Sequence, residues 1–232
     1  MQKYHVMEMG KNNKRVIFLL SGWYNKLWMF WLFSKILSLN GYYCITYAYD
    51  GDVFSPNTKA TTKYFNEIKD EILLKITELK KSGYKDFSIF GTSLGTMLAL
   101  MIANKSPDIS RVVLNTTGID VSEAVWGWDK VNVSFKKELL QQKLTLKQLK
   151  ELWSEITPAS NINNLKNKKI LVYLSIKDEV IPFNLGKHLV SEFEDRHYDY
   201  TLITNNKLKH LYTGAYNLIN ARRYLSFLKN DM

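Results

Sequence analysis

The sequence predicts an α/β fold: a mostly parallel central sheet, helices on both of its faces, and a small helical lid. Three observations predict it. Short apolar runs of strand length, such as Arg15–Leu20 (RVIFLL), Arg111–Asn115 (RVVLN) and residues 170–175 (ILVYLS), read as strands covered on both faces. Segments of helical periodicity separate them, and that alternation marks a parallel sheet. One stretch, residues 121–165, departs from the rhythm: it holds no strand candidate and spaces Leu139, Leu149, Leu152, Trp153 and Ile156 roughly as a helix does. With 232 residues, the chain reads as a core (1–120 and 166–232) carrying one helical insertion (121–165).

Taken in order, Tyr4 to Met9 has the length of a short edge strand, and Arg15–Leu20 follows as a buried one. Ser21-Gly22-Trp23 breaks the run. Leu27 to Leu39 then reads as an apolar helix stopped by Asn40-Gly41. Tyr43 to Tyr47 is the next strand, closed by Asp50-Gly51. Thr58 to Lys81 makes a long helix with Phe65, Ile68, Ile72, Ile76 and Leu79 on one face, ended by Ser82-Gly83. After the insertion come residues 170–175 and Tyr198 to Ile203 as strands, with helices near Phe183–Phe193 and Ala215–Leu228.

The stretch from Asp86 to Ala103, DFSIFGTSLGTMLALMIA, carries the chemistry. An apolar strand leads into Gly91-Thr92-Ser93-Leu94-Gly95, and a small, apolar helix leaves it. A serine at the apex of such a turn needs strained dihedrals, and glycines two before and two after it clear the crowded space between strand and helix. The helix start aims unpaired amides and positive partial charge at the same point. A serine hydroxyl needs a base, and the base needs an orienting acid. Of the four histidines, His5 lies near the N-terminus, His188 sits mid-helix and His197 in a turn. His210 falls after the last strand, in an expected loop that returns to the carboxyl edge of the sheet, and is the base the order favours. Asp178 directly follows a buried strand in SIKDEVIP and is the favoured acid; Glu179 and Asp120 are alternatives.

The elbow GTSLG, the order Ser93, Asp178, His210 and the KDEVIP stretch resemble the α/β-hydrolase superfamily over nearly the whole chain. The resemblance implies Ser93 as nucleophile, His210 as general base and then acid, and Asp178 as its orienter. It also implies an oxyanion hole from the backbone N–H groups of Leu94 and of Trp23. Many relatives have His-Gly-x in the latter loop, where this chain has Ser21-Gly22-Trp23. The implied enzyme is a cofactor-free and metal-free serine hydrolase acting on a small-molecule carboxylic ester. Trp23, Tyr24, Trp28, Trp126 and Trp128 suit an apolar acyl or aryl group of modest size, with Tyr24, Trp126 and Trp128 as pocket residues. A thioesterase or acyl-carrier esterase, and a non-enzymatic binder on the same fold, are the alternatives.

The net charge of +10 points to anionic partners: nucleic acid, anionic lipid or an acidic carrier protein. No nucleic-acid-binding motif accompanies it, so nucleic acid is not expected. The apolar region Val16 to Leu39 is interrupted by Ser21, Gly22, Asn25, Lys26 and Lys35, too often for a membrane span, and lacks the features of a signal peptide. Cys44 is the single cysteine, which fits a reducing compartment. The expected location is the cytoplasm.

Overall fold

The computed structural model describes residues 4–23, 25–49, 53–128 and 133–229. Seven strands form one sheet: β1 (Tyr4–Met9), β2 (Arg15–Leu20), β3 (Tyr42–Tyr49), β4 (Lys85–Thr92), β5 (Ile109–Asn115), β6 (Lys169–Ser175) and β7 (Tyr200–Asn205), in the order β1-β3-β2-β4-β5-β6-β7. Only β1 runs antiparallel to its neighbour; every other pairing is parallel. The apolar runs are continuous because both faces are covered. Alternate residues of one strand enter different cores: Val16, Phe18 and Leu20 one, Ile17 and Leu19 the other.

Helices α1 (Leu27–Leu39), α8 (His210–Ile219) and α9 (Ala221–Lys229) meet the Ile17/Leu19 face. Helices α2 (Thr58–Lys81), α3 (Leu94–Lys105) and α7 (Phe183–Asp195) pack on the opposite face. The apolar stripe of α2 is buried as its spacing requires, and Asn57 caps the helix by accepting the Ala60 N–H through its side chain. The central apolar region divides into β2 and the 13-residue α1. Among the described residues no helix is long and apolar enough to cross a membrane.

Residues 121–165 contain α4 (Val121–Gly127), α5 (Val133–Gln141), α6 (Leu146–Leu152) and a 3-10 turn, Pro158–Ser160, with no strand among the described residues. Leu149, Trp153 and Ile156 are buried, while Leu140 and Leu152 are exposed. Phe54 stacks on Trp153 at 5.1 Å and so ties this segment to the loop after β3.

Several strands run a residue or two beyond their expected ends, and the sequence reading departs most at two places. The last strand starts at Tyr200, not Tyr198. Tyr198 is held in place by its hydroxyl, which donates to the Ile162 carbonyl at 2.7 Å, and His197 before it takes a left-handed turn. The single C-terminal helix expected over Ala215–Leu228 is two helices, broken at Asn220, and the first begins at His210. His210 therefore opens a helix instead of lying in a loop. The cause is distant in sequence: the Glu179 carboxylate accepts the His210 N–H at 3.1 Å and satisfies a helix-end donor that no local residue caps. Tyr24 and the Asp50-Gly51 strand stop lie outside the described residues.

Candidate active site

β4 ends at Thr92 and α3 begins at Leu94, leaving Ser93 at the junction with φ 51° and ψ −120°. The Ser93 N–H donates to the Asn115 carbonyl at 2.8 Å, which fixes the turn to the end of the neighbouring strand. The flanking glycines are required by contact. A Cβ at Gly91 would lie 2.4 Å from the Gly95 carbonyl oxygen, and one at Gly95 2.2 Å from that of Leu20. Any side chain there would drive helix and strand apart.

His210 Nε2 lies 2.8 Å from Ser93 Oγ, across 117 positions of sequence. His210 Nδ1 lies 2.7 and 2.9 Å from the two oxygens of Asp178. An ionised carboxylate only accepts, so Nδ1 carries the proton and Nε2 faces the serine as an acceptor. Asp178 is itself oriented, since Oδ1 accepts the N–H groups of Val180 and Ile181 at 2.9 and 2.8 Å. The imidazole and this carboxylate are 4% and 3% exposed, so water competes little for their hydrogen bond.

The alternatives fall elsewhere. Glu179 holds the start of α8. Asp120 caps α4 through the Glu123 N–H and pairs with Lys150. His5 is on the edge strand β1, while His188 and His197 are exposed.

Leu94 opens α3, so its amide belongs to the first turn, whose N–H groups have no partner within the helix. The β2–α1 loop passes directly beside the serine: a Cβ built on Gly22 would be 3.2 Å from Ser93 Cβ. Trp23, next in the chain, packs edge-on against Phe54 and Trp128 at 5.0 and 6.2 Å.

A cavity of about 490 Å³ lies against Ser93 and His210. α4 presents Val121, Ala124 and Val125 to it, the i, i+3, i+4 face of one helix, and Trp128, which follows the helix in extended backbone, adds its side chain. α8 supplies Leu211, Gly214, Ala215, Leu218 and Ile219, and α1 supplies Trp28 and Met29. No Asp, Glu, Lys or Arg is found among the described lining residues. Trp126, expected in the pocket, does not line it. It sits on the other side of α4, where the Lys136 ammonium covers its ring at 5.4 Å and donates to its carbonyl at 3.1 Å.

Two features escaped the sequence reading. The Asn217 amide donates to Asn115 Oδ1 at 2.7 Å, and the Asn115 amide donates to Thr92 Oγ1 at 2.9 Å and the Gly214 carbonyl at 3.2 Å. This buried chain ties α8, which carries His210, to the strand ends beside Ser93. Its one visible signal is an asparagine directly after the apolar Val112-Val113-Leu114 run. The second is Thr116, a β-branched residue at φ 60° on the cavity wall. Such a conformation persists only where the surroundings impose it.

The profile of the prolyl oligopeptidase family matches residues 66–232, a stretch that includes Ser93, Asp178 and His210. The chain belongs to the prolyl oligopeptidase family. It is therefore a serine hydrolase of the α/β-hydrolase superfamily. No curated protein matches it in sequence. Among solved structures it is similar to an esterase of Pyrococcus furiosus (TM-score 0.64, 14% identity, covering 98% of this chain and 92% of that one). It is likewise similar to a monoacylglycerol lipase of Paleococcus ferrophilus (0.59, 15%, 98% and 98%). An acylaminoacyl peptidase of Pyrococcus horikoshii gives 0.71 at 12% identity; the match covers 99% of this chain but only 39% of that one. At such identities the likeness is one of fold. The family match begins within α2, so α1 and the loop holding Trp23 lie outside it.

Proposed function

We propose that this member of the prolyl oligopeptidase family hydrolyses a carboxylic ester with an apolar acyl or aryl group through an acyl-enzyme on Ser93. The observation that carries the reading is the linked chain of Ser93, His210 and Asp178 beside an apolar cavity of about 490 Å³. In this mechanism His210 Nε2 takes the Ser93 proton as Oγ adds to the ester carbonyl carbon, and Asp178 stabilises the imidazolium. The Leu94 and Trp23 N–H groups donate to the oxyanion, each contributing about 3 kcal/mol to the transition state. The imidazolium passes its proton to the departing alcohol oxygen as the C–O bond breaks. Water, deprotonated by the same nitrogen, then releases the acid and restores Ser93. No step calls for a metal or a cofactor. Residues 121–165 act as the lid, with α4 forming its inner wall, and the lone buried cysteine supports a cytoplasmic setting.

The test is labelling by a fluorophosphonate together with turnover of a p-nitrophenyl ester chain-length series. Both are expected for the native chain and lost in Ser93→Ala. Full turnover by that variant would defeat the assignment.

Family membership favours a second reading, amide hydrolysis, because the same groups cleave amides and one structural relative is a peptidase. A peptidase that recognises a free amino terminus needs an anion to hold it, and the described cavity lining offers none. Aminoacyl p-nitroanilides turned over faster than p-nitrophenyl esters of matched acyl groups would reverse this preference.

A further inference from the structure

Around the cavity mouth the fold exposes large apolar side chains on two neighbouring helices. On α1, Trp28 is 72%, Trp31 52% and Leu32 54% exposed; on α8, Leu211 and Ile219 are both 72% and Tyr212 69% exposed. Single exposed apolar residues are ordinary, but these share one rim, since Trp28, Leu211 and Ile219 also line the cavity. The α1 positions 28, 31, 32, 35 and 39 recur as one helical stripe: Trp, Trp, Leu, Lys and an exposed Leu.

The two chain segments that carry these helices hold charge of one sign. Residues 25–49 and 200–229 contain no Asp or Glu, although the chain has 22 of them. They contain Lys26, Lys35, Lys207, Lys209, Arg222, Arg223 and Lys229, all exposed, and among the described residues none of these pairs with a carboxylate. Arg222 and Arg223 follow Ile219 by three and four residues, at the start of α9, and Lys209 precedes Leu211 by two. Among the described residues, the acids nearest the cavity are engaged: Glu179 accepts the His210 N–H at the start of α8, and Asp120 and Glu123 at α4 pair with Lys150.

We propose that this face docks on an anionic lipid bilayer, with the cavity mouth turned toward the lipid. Trp28, Trp31, Leu32, Leu211 and Ile219 enter the boundary between headgroups and acyl chains, and the surrounding lysines and arginines lie at lipid phosphates. Tryptophan favours that boundary, and a basic face with an apolar centre is the composition that binds it. A second copy of the chain is a poor occupant, since it would set the same unpaired cations against each other. An acidic protein would satisfy the cations but leave the projecting Trp, Leu and Ile unexplained. Docking does not depend on the ester reading; delivery of a lipid ester to Ser93 does.

The test is flotation of the full chain with vesicles of phosphatidylcholine alone or mixed with phosphatidylglycerol, alongside hydrolysis of a soluble p-nitrophenyl ester. Binding is expected to the mixed vesicles, weakened by salt, with a blue shift of Trp emission. The double variant Arg222→Gln/Arg223→Gln should lower partition roughly thirtyfold, and Trp31→Ser/Leu32→Ser at least about tenfold. None of these four side chains lines the cavity, so both variants should keep soluble-ester turnover, which also reports that they fold. Failure of the native chain to float, equal binding to neutral vesicles, or unchanged partition of both variants would overturn the proposal. Retention on polyglutamate without flotation would replace the bilayer with an acidic protein. Loss of docking with ester turnover intact removes this inference alone, whereas docking without any turnover removes only the ester reading.

Discussion

The two faces of the sheet are covered in contrasting ways. On one, α2 turns its apolar stripe inward and meets water with charges of both signs: Lys63 with Glu67, Lys69 with Asp70, and Lys75 with Glu8 of β1. On the other, α1, α8 and α9 bury Phe30, Phe33 and Tyr224 equally well but turn Trp, Leu, Ile and unpaired cations outward. Both faces close a core. The difference therefore lies outside the requirements of folding, and the face that is poor in acids is the one that brings α1 and α8 to the cavity wall.

The largest expected effect tests whether that face carries the chemistry: His210→Ala on α8 should lower kcat/KM for a p-nitrophenyl ester at least about 10⁴-fold, with native circular dichroism. A change below tenfold would break the link between face and reaction. Next, Ile72→Ala in the stripe of α2 should cost about 2–5 kcal/mol in denaturant unfolding, whereas Trp31→Ala on α1 should stay within about 1 kcal/mol. Equal losses would show that the outward tryptophan serves the fold after all. Asn217→Ala leaves the Asn115 carboxamide oxygen buried without its donor, so about 1–3 kcal/mol should be lost, together with a lower kcat as α8 loosens. Removing an ion pair from the water-facing side, in Lys63→Ala, should change stability by no more than about 0.5 kcal/mol.

Cys44 offers a check on how tightly the α1 face is closed. Burial pushes its thiol up to about 12, so at pH 8 the neutral form prevails and thiolate is roughly one part in ten thousand. Iodoacetamide should leave the folded chain unmodified at pH 8 and label it in denaturant. Because the folded value is raised, the thiol's contribution to stability is complete below its ordinary value of 9.0 and is lost as the pH climbs from there toward about 12.

Much of this arrangement was legible before any coordinates. Continuous apolar runs gave the buried strands, since a strand covered on both faces has no polar alternation to show. Helical spacing gave α2 from Thr58 to Lys81. The GTSLG elbow singled out Ser93, and chain order singled out Asp178 and His210, which the fold brings into contact. What stayed hidden depended on partners far along the chain. The start of α8 at His210 depends on Glu179, and the start of β7 depends on the bond from Tyr198 to Ile162. Asn115 and Asn217 are 102 residues apart and carry no local mark of their contact. Pocket walls stay hidden for a different reason. Aromatic size does not place a side chain: Trp126 is fixed by its position within α4, whereas Trp128 lies just beyond the helix end in extended backbone. Trp128 faces the cavity and Trp126 does not, and the aliphatic lining of α8 passed unremarked.

The close approach at Gly95 bears on how mutations here will be read. Its missing side chain lets the first turn of α3 rest against the Leu20 carbonyl, so the end of one strand and the start of one helix move as a single hinge pin. The chain runs from the strand side of that pin to Trp23 and from its helix side to Leu94. A methyl group added at residue 95 would push the two sides apart; in the mechanism proposed for Ser93 that separates the two oxyanion donors, so acylation would slow as the melting temperature falls.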